Sequence, residues 1–207
     1  MSVDPYCYPG TAILRNRFGI RDQRELKAAE ARVAALALFV LEDDPLQGPM
    51  DEDRLRATHG AIFSEIYEWA GRYRENTGRM TKGREAGYEV TYGESQYVPG
   101  EMSRIFRELE SEGFLGGLGI DKFADRLTYF YSEIDSTHPF REGNSRTLRK
   151  FTADLAMAAG YALDWEPTGS TRQSRISLYA ARDHAFQRRE YRRLQQIIRA
   201  NLSPLQP

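Results

Sequence analysis

A short segment of this 207-residue chain, residues 138–149, gathers the residue types that handle a polyphosphate. The turn 143–145, Gly-Asn-Ser, leads into a predicted helix. Backbone N–H groups at a helix start, with the positive end of the helix dipole behind them, bind anionic oxygens. Arg146 and Arg149 are three residues apart, so they lie on one helical face and can both donate to phosphate oxygens. The segment therefore predicts a phosphate-binding turn.

Two other side chains in the segment could carry the chemistry of group transfer. His138 has an imidazole whose ordinary pKa suits proton transfer near neutral pH, so it could deprotonate an attacking hydroxyl. Glu142 could offer a carboxylate oxygen to Mg²⁺, which prefers one or two carboxylates together with substrate phosphates and water. A His-Pro pair before a helix is by itself more often a turn than a catalyst. The adjoining Glu-Gly-Asn-x-Arg-x-x-Arg run favours catalysis.

The apolar residues around this segment recur at helical spacing and predict an all-α bundle. Asp22-x-x-Glu25 is typical of a capped helix start. The stripe expected to be buried in this first helix consists of Leu26, Ala29, Val33, Leu36 and Val40. Further helices are predicted between Asp51 and Gly71, over 100–112, from a cap at Asp121 to His138, over 146–159, and around Tyr179 and Ile198.

Charge and cysteine content exclude several classes of protein. The formal net charge of −1 argues against a protein built chiefly to bind nucleic acid, because that function needs an excess of Lys and Arg. The lone Cys7 excludes an intramolecular disulfide and fits a reducing cytoplasm. Apolar runs stay below about 18 residues, and residues 1–9 lack a basic stretch followed by an apolar one. We therefore expect no membrane span, no secretory signal and a cytoplasmic location, with delivery into another cell left open.

The segment 138–149 resembles the signature of the Fic family, His-x-Phe-x-(Asp or Glu)-Gly-Asn-(Gly or Lys)-Arg-x-x-Arg, and departs from it only at Ser145. Three other stretches support the resemblance: Asp-Pro-Tyr at 4–6, Tyr-Glu-Trp-Ala-Gly at 67–71 and Ala-Ala-Gly-Tyr at 158–161. The resemblance implies a single Fic domain over residues 1–207, a Fic-type helical bundle whose signature loop and helix occupy 138–159.

The resemblance also implies an activity. Fic proteins commonly transfer AMP from ATP to a Tyr, Thr or Ser hydroxyl of a target protein, with Mg²⁺ as cofactor. The implied site consists of the base His138, the loop anchor Phe140, the Mg²⁺ ligand Glu142, and the phosphate-binding residues Gly143, Asn144 (through its side chain), Ser145, Arg146 and Arg149, the last on the γ-phosphate.

One stretch departs from helical spacing. Residues 87–93 alternate large apolar and polar side chains between two glycines, which is the period-two pattern of a strand. On this pattern alone the stretch could equally be a surface hairpin without a function. In the Fic family a β-hairpin called the flap lies over the site at this point in the chain, so the resemblance implies a flap at about 86–93. Its target-docking residues would be Tyr88, Val90, Thr91 and Tyr92.

The departure from the signature at Ser145 leaves open which group the protein transfers. If the family's Gly requires a positive φ there, Ser adds strain of about 1 kcal/mol, although the family's alternative Lys argues that it does not. The Lys-bearing branch transfers a phosphoryl group, so phosphoryl or another nucleotidyl transfer is the alternative. An inactive nucleotide-binding or protein-binding module is a third possibility, which the presence of both His138 and Glu142 disfavours.

The family's own inhibitor suggests a partner. Fic proteins are restrained by a helix with Ser or Thr, three residues, then Glu and Gly or Asn, whose Glu pairs with the second signature arginine. No segment of the chain matches this motif. The resemblance therefore implies a toxin whose separate, small helical antitoxin contacts Arg149. The sequence does not identify the target protein, the modified residue, the nucleotide preference or the oligomeric state.

Overall fold

Helices form most of the chain in the computed structural model, which describes residues 4–169 and 171–205. The first four α-helices are α1 (Gln23–Asp43), α2 (Glu52–Phe63), α3 (Val98–Ser111) and α4 (Ile120–Thr137). They are followed by α5 (Asn144–Ala158), α6 (Glu166–Gly169), α7 (Arg172–Arg188) and α8 (Arg192–Ala200). Within the described ranges, every helix is too short or too polar to span a bilayer. The predicted all-α bundle is confirmed.

Two small antiparallel sheets accompany the helices. Strand β1 (Met80–Gly83) pairs with β2 (Glu89–Tyr92), with Thr81 opposite Thr91, and β3 (Tyr161–Leu163) pairs with β4 (Leu202–Pro204). The flap predicted at about 86–93 contains β2 and the turn, but β1 lies before the predicted range. The alternating pattern reveals β2 because Val90 and Tyr92 face the protein, whereas β1 has only Met80 buried. A strand with one apolar contact gives no period-two signal.

Helix α4 lies at the centre of the larger hydrophobic cluster, where its apolar residues meet α3, α5, α7 and α8. Fully buried side chains of α4 include Phe123, Leu127 and Tyr131. A second cluster joins α1, the N-terminal segment and the C-terminal half of α2. The loop between α4 and α5, which carries the signature, runs along the boundary of the two clusters. Packing from both sides can therefore hold this loop.

The buried face of α1 differs from the predicted stripe. Leu26 and Ala29 are buried, but Leu36 and Val40 are 67% and 51% exposed, and Ala34 and Leu41 are buried instead. Helix α1 packs mainly against α2 among the described elements. Apolar spacing identifies a stripe, but it does not reveal whether a neighbouring element covers that stripe along its whole length.

Three helix ends also differ from expectation. Helix α4 begins at Ile120 after the N-cap Gly119, so Asp121 lies in the first turn and binds Arg199 instead of capping. Helix α2 ends at Phe63, because the chain folds back and brings Gly71 against Gly60. Helix α5 begins at Asn144, two residues before the predicted start, so the turn predicted to bind phosphate coincides with the helix start.

Candidate active site

A cavity of about 510 Å³ opens between the signature loop, the β1–β2 hairpin, α1 and α7. Its walls combine a potential base, several carboxylates, several cations and the start of a helix. The lining residues used below are Lys82, Tyr92, His138, Glu142, Ser145 and Arg182. The structure thus brings together residues separated by up to a hundred positions in the sequence.

His138 is the C-cap residue of α4 and is 7% exposed. Its φ of 49° lies in the left-handed region, which is unusual for a residue with a side chain. Both ring nitrogens are buried without a hydrogen-bond partner among the described residues. Burial lowers the pKa of His138 well below its ordinary value, and the nearby Lys82 and Arg182 lower that pKa further. The imidazole is therefore neutral and can accept a proton from a ligand.

Arg74 holds the backbone on either side of His138. Its Nε donates to the His138 carbonyl oxygen at 2.8 Å, and its backbone N–H donates to the Pro139 carbonyl oxygen at 2.8 Å. The same guanidinium donates to the carbonyl oxygen of Gly93, just after β2, at 2.7 Å. Arg74 is 1% exposed. It stabilises the strained cap and joins it to the hairpin. The sequence gives no sign of this role, because Arg74 is 64 residues from His138.

Phe140 lies in the core, a position that fits the anchor role that the resemblance implies. It is fully buried, and its ring stacks on His59 with centroids 3.9 Å apart. The Nδ1 of His59 accepts the Gly71 N–H at 2.8 Å, so its Nε2 carries the proton and donates to the Glu142 carbonyl oxygen at 3.0 Å. Burial lowers the pKa of His59 to about 4. His59 is therefore structural, and its contact with the signature loop is not visible in the sequence.

The side chain of Asn144 closes the loop. Its Oδ1 accepts the Phe140 N–H at 2.9 Å, and its Nδ2 donates to the Phe140 carbonyl oxygen at 2.7 Å. The resemblance assigns this side chain to the phosphates, whereas the structure engages both of its polar atoms with the loop backbone. A role of Asn144 in nucleotide binding stays a prediction. The group of Asn144 that remains available for a phosphate is its backbone N–H, at the start of α5.

Gly143 makes the turn possible. It has a φ of 80°, and a Cβ built on it would lie 2.3 Å from the ring of Phe63. Ser145, in contrast, lies within the first turn of α5 and is not among the residues of positive φ. The strain considered for Ser145 therefore does not arise. The position that requires glycine is the N-cap, two residues earlier.

Glu142 is held by two contacts. Its Oε1 accepts the Gly143 N–H at 3.1 Å, and its Oε2 accepts from the Lys82 ammonium at 2.7 Å. Burial alone would raise the pKa of Glu142, but Lys82 and the Gly143 N–H lower it below its ordinary value. The carboxylate is therefore ionised. A hard oxygen ligand beside an anion-binding turn suits Mg²⁺, whose other ligands come from phosphates and water. No cluster of three or more metal-binding side chains occurs in the described part of the chain.

The two signature arginines border a second groove of about 660 Å³ between α1 and α5. Arg146 pairs with Glu30 of α1, which also lines the main cavity, and its guanidinium lies 4.8 Å above the ring of Phe63. Arg149 donates from Nε to the Ser145 carbonyl oxygen at 3.3 Å. Neither arginine is among the described residues that line the cavity of His138; both border the second groove, and their contact with the phosphates stays a prediction.

The β1–β2 hairpin covers the cavity. The ring of Tyr92 stacks on His138 with centroids 3.9 Å apart. Arg84, in the turn, forms a two-bond contact with Asp183 of α7 at 2.8 and 2.7 Å, and Tyr88 donates to the same carboxylate at 2.6 Å. Val90 is buried and Thr91 is exposed. The hairpin is therefore fastened to α7, and no third strand pairs with it among the described residues.

Distant parts of the sequence also meet at the signature loop. Arg141 pairs with Asp4 at 2.6 Å, which joins the N-terminal segment to the loop. On the other side, Arg182 of α7 pairs with Asp135 of α4. The Arg182–Asp135 contact is buried, whereas the Arg141–Asp4 contact is partly buried. The site is therefore enclosed by the N-terminal part of the chain, the hairpin, the signature loop and α7.

Comparison with known proteins identifies relatives of the chain. Residues 49–156 match the model of the Fic/DOC family. The chain is 37% identical over 177 residues to protein adenylyltransferase VbhT of Bartonella schoenbuchensis; this match covers 86% of the chain and 36% of VbhT. It is also 37% identical over 163 residues to the Escherichia coli protein named "Probable protein adenylyltransferase Fic", with 79% of the chain and 77% of that protein covered.

A solved structure has the same fold. It is the N-terminal Fic domain of a VirB-translocated effector from Bartonella quintana with bound ADP, which is 26% identical and matches with a TM-score of 0.83. The match covers 97% of this chain and 95% of that one. With a family model matching over the signature and more than a third of the residues shared with relatives across most of the chain, this protein belongs to the Fic/DOC family.

Proposed function

We propose that the chain is an Mg²⁺-dependent protein adenylyltransferase, which transfers AMP from ATP to a Tyr, Thr or Ser hydroxyl of a target protein. The observation that carries the proposal is the neutral His138, whose two ring nitrogens have no hydrogen-bond partner within the described ranges. It lies in the same cavity as Glu142 and the start of α5. Relatives named protein adenylyltransferases support it.

The proposed step begins when His138 removes the proton of the target hydroxyl. The oxygen then forms a bond to the α-phosphorus, and the bond from that phosphorus to the bridging oxygen breaks, so that pyrophosphate leaves. The N–H groups at the start of α5 bind the phosphate oxygens, and Arg146 and Arg149 support the triphosphate. Because the chain holds these donors in place before ATP arrives, the step relies mainly on positioning and on stabilisation of charge.

Glu142 would hold the Mg²⁺ in this proposal. When bound, the metal neutralises phosphate charge and orients the leaving pyrophosphate. The ionised carboxylate fits this role, and its Oε2 is bound by Lys82 in the structure. The ammonium of Lys82 and the metal would therefore compete for one oxygen.

This competition predicts the behaviour of Lys82→Met. Without the ammonium, the Mg²⁺ concentration that gives half-maximal ATP binding should fall about fivefold, the equivalent of a partly exposed ion pair worth about 1 kcal/mol. A titration of Mg²⁺ at fixed fluorescent ATP would measure it. Lys82→Arg keeps a cation and serves as the control. An identical Mg²⁺ midpoint in all three proteins would contradict the competition.

Two labels on ATP test the reaction itself. Purified protein is incubated with Mg²⁺, lysate, and ATP labelled at either the α or the γ position. Label transferred from the α position supports the proposal. Label transferred only from the γ position establishes phosphoryl transfer, the alternative left open by Ser145, and overturns adenylylation.

The hairpin is proposed to bind the target by adding a strand. The Arg84 N–H donates to the Tyr88 carbonyl oxygen at 2.8 Å, so residues 84 and 88 form a hydrogen-bonded pair. Such pairs alternate in an antiparallel ladder, so Thr81 and Thr91 form a non-hydrogen-bonded pair. Their N–H groups therefore point outward, where an extended peptide could pair with them.

Replacing Thr91 by Pro should test this edge. Proline removes the outward N–H without breaking a hydrogen bond inside the hairpin, so modification of the target protein should fall while self-modification changes less. Thr91→Ala keeps the N–H and is the control, and Thr81→Pro tests the opposite edge. Normal target modification by both proline variants would exclude strand addition.

A separate small helical protein is proposed to restrain the enzyme. Arg149 has no carboxylate partner among the described residues, and with Lys150 it borders an open groove beside α1. A glutamate on a partner helix could form a charge-assisted pair with Arg149 there. Expression of the chain alone in bacteria should arrest growth, and coexpression of the partner should relieve the arrest. Normal growth with abundant active protein and no partner would contradict this.

A further inference from the structure

Ser145, the one departure from the family signature, has a specific neighbour. Its Oγ accepts a hydrogen bond from an NH1 group of Arg182 at 3.3 Å. Arg182 lies on α7, 37 residues further along the chain, and both residues line the cavity that contains His138. The hydroxyl is therefore part of the cavity wall and does not turn back onto its own helix.

The guanidinium of Arg182 is fixed from behind. Its Nε donates to Oδ2 of Asp135 at 2.9 Å, and its NH2 donates to Oδ1 of the same carboxylate. The side chains of Arg182 and Asp135 are 2% and 5% exposed. A buried two-bond pair of this kind holds the planar group in one orientation. The NH1 that reaches Ser145 therefore has a defined position.

This contact decides what the hydroxyl can do. A guanidinium only donates hydrogen bonds, so the Ser145 oxygen must accept in its bond with Arg182. Its own proton is then available for a second partner. The Ser145 backbone N–H lies in the first turn of α5, where N–H groups lack helical acceptors. Ser145 thus presents two hydrogen-bond donors, its hydroxyl and its backbone N–H, at the turn proposed to bind anions.

We propose that the Ser145 hydroxyl donates a hydrogen bond to a phosphate oxygen of the nucleotide, and that Arg182, held by Asp135, is the positioning residue that orients it. The inference rests on the proposed function in one respect, which is that the ligand of the cavity is a nucleotide. It makes Ser145 a side-chain ligand, whereas the family's Gly at this position offers only its backbone.

The affinity for ATP with Mg²⁺, measured by calorimetry without any target protein, tests the first part. Ser145→Ala should weaken ATP binding about three- to tenfold, the effect of one lost hydrogen bond, and should leave the affinity for adenosine unchanged. Ser145→Thr keeps the hydroxyl and should restore binding to within twofold of the natural protein. Ser136→Ala removes a hydroxyl outside the cavity and is the control. Unchanged ATP affinity in Ser145→Ala, or equal weakening for adenosine, would overturn the proposal.

A double-mutant cycle tests Arg182. Arg182→Lys keeps a cation beside Asp135 but lacks the NH1 group that reaches Ser145. In this background Ser145→Ala should change ATP affinity less than twofold. If the factor equals that in the natural background, Arg182 does not orient the hydroxyl. Should Arg182→Lys fail to fold, the same comparison is made in Arg182→Met with Asp135→Leu, which removes the buried pair as a whole.

These measurements are independent of AMP transfer. Loss of the Ser145 effect with normal transfer from the α position would overturn the inference and leave the proposed function intact. A normal Ser145 effect in a protein that transfers only γ label would overturn adenylylation and leave the inference intact.

Discussion

His138→Ala should reduce AMP transfer by about a hundred- to ten-thousand-fold, the usual contribution of a general base. ATP affinity should change little, because the phosphate donors belong to α5. The neutral imidazole adds a second expectation. At pH 6.5, where an ordinary histidine is half protonated, the His138 ring of the free protein should still be neutral, because its pKa is lowered. Histidine NMR signals followed through a pH titration would show this.

A control separates the loss of the base from strain in the loop. His138 already bears the strain of a left-handed φ, about 1–2 kcal/mol, and alanine tolerates this conformation less well than histidine, whereas asparagine adopts it readily. His138→Asn should therefore retain the fold better than His138→Ala and be equally inactive. Substantial transfer by the asparagine variant would show that His138 is not the base.

Gly143→Ala should damage the protein through the turn. The added Cβ would meet the Phe63 ring at 2.3 Å, and Phe63 is fully buried against His59 and Arg146. Overpacking costs about 1–3 kcal/mol and the left-handed backbone about 1–2 kcal/mol. The melting temperature should fall by roughly 5–15 °C, and ATP affinity should fall at least about tenfold because the N–H groups move. Thermal unfolding and ATP titration would measure both.

Gly160→Ala is the matched control. Gly160 has a φ of 90°, but no atom lies within 4 Å of an added Cβ, so only the conformational cost remains. This variant should lose only about 1–2 kcal/mol and keep its ATP affinity. Phe63→Leu should partly rescue Gly143→Ala by making room. Equal effects of the two glycine substitutions would show that contact with Phe63 is unimportant.

The sequence predicts the residues of the signature far better than the residues that hold them. The helices and the signature follow from local spacing, and the family, the all-α bundle and the hairpin are confirmed. The roles of His138 and Glu142 stay predictions that the cavity supports. Arg74, Lys82 and Arg182 could not be found from spacing, because each reaches the loop from another element.

Two other differences have a similar cause. The closure of the loop by Asn144 depends on a bond with Phe140 that forms only once the chain turns. The exposure of Leu36 and Val40 depends on where α2 stops covering α1. Periodicity describes one element at a time, whereas both outcomes depend on the contact between two segments of the chain.

The enclosure of the site by Asp4 at one end and Asp183 at the other has a consequence for synthesis. The signature is made before α7, yet the hairpin over His138 is fastened to Asp183, and Asp135 has its partner on the same helix. Domains fold as units, and contacts of such large sequence separation form late. A nascent chain on the ribosome therefore has no complete catalytic centre until α7 has emerged. The transferase proposed above would therefore be inactive during its own translation, and the proposed partner could bind it as soon as α7 completes the site.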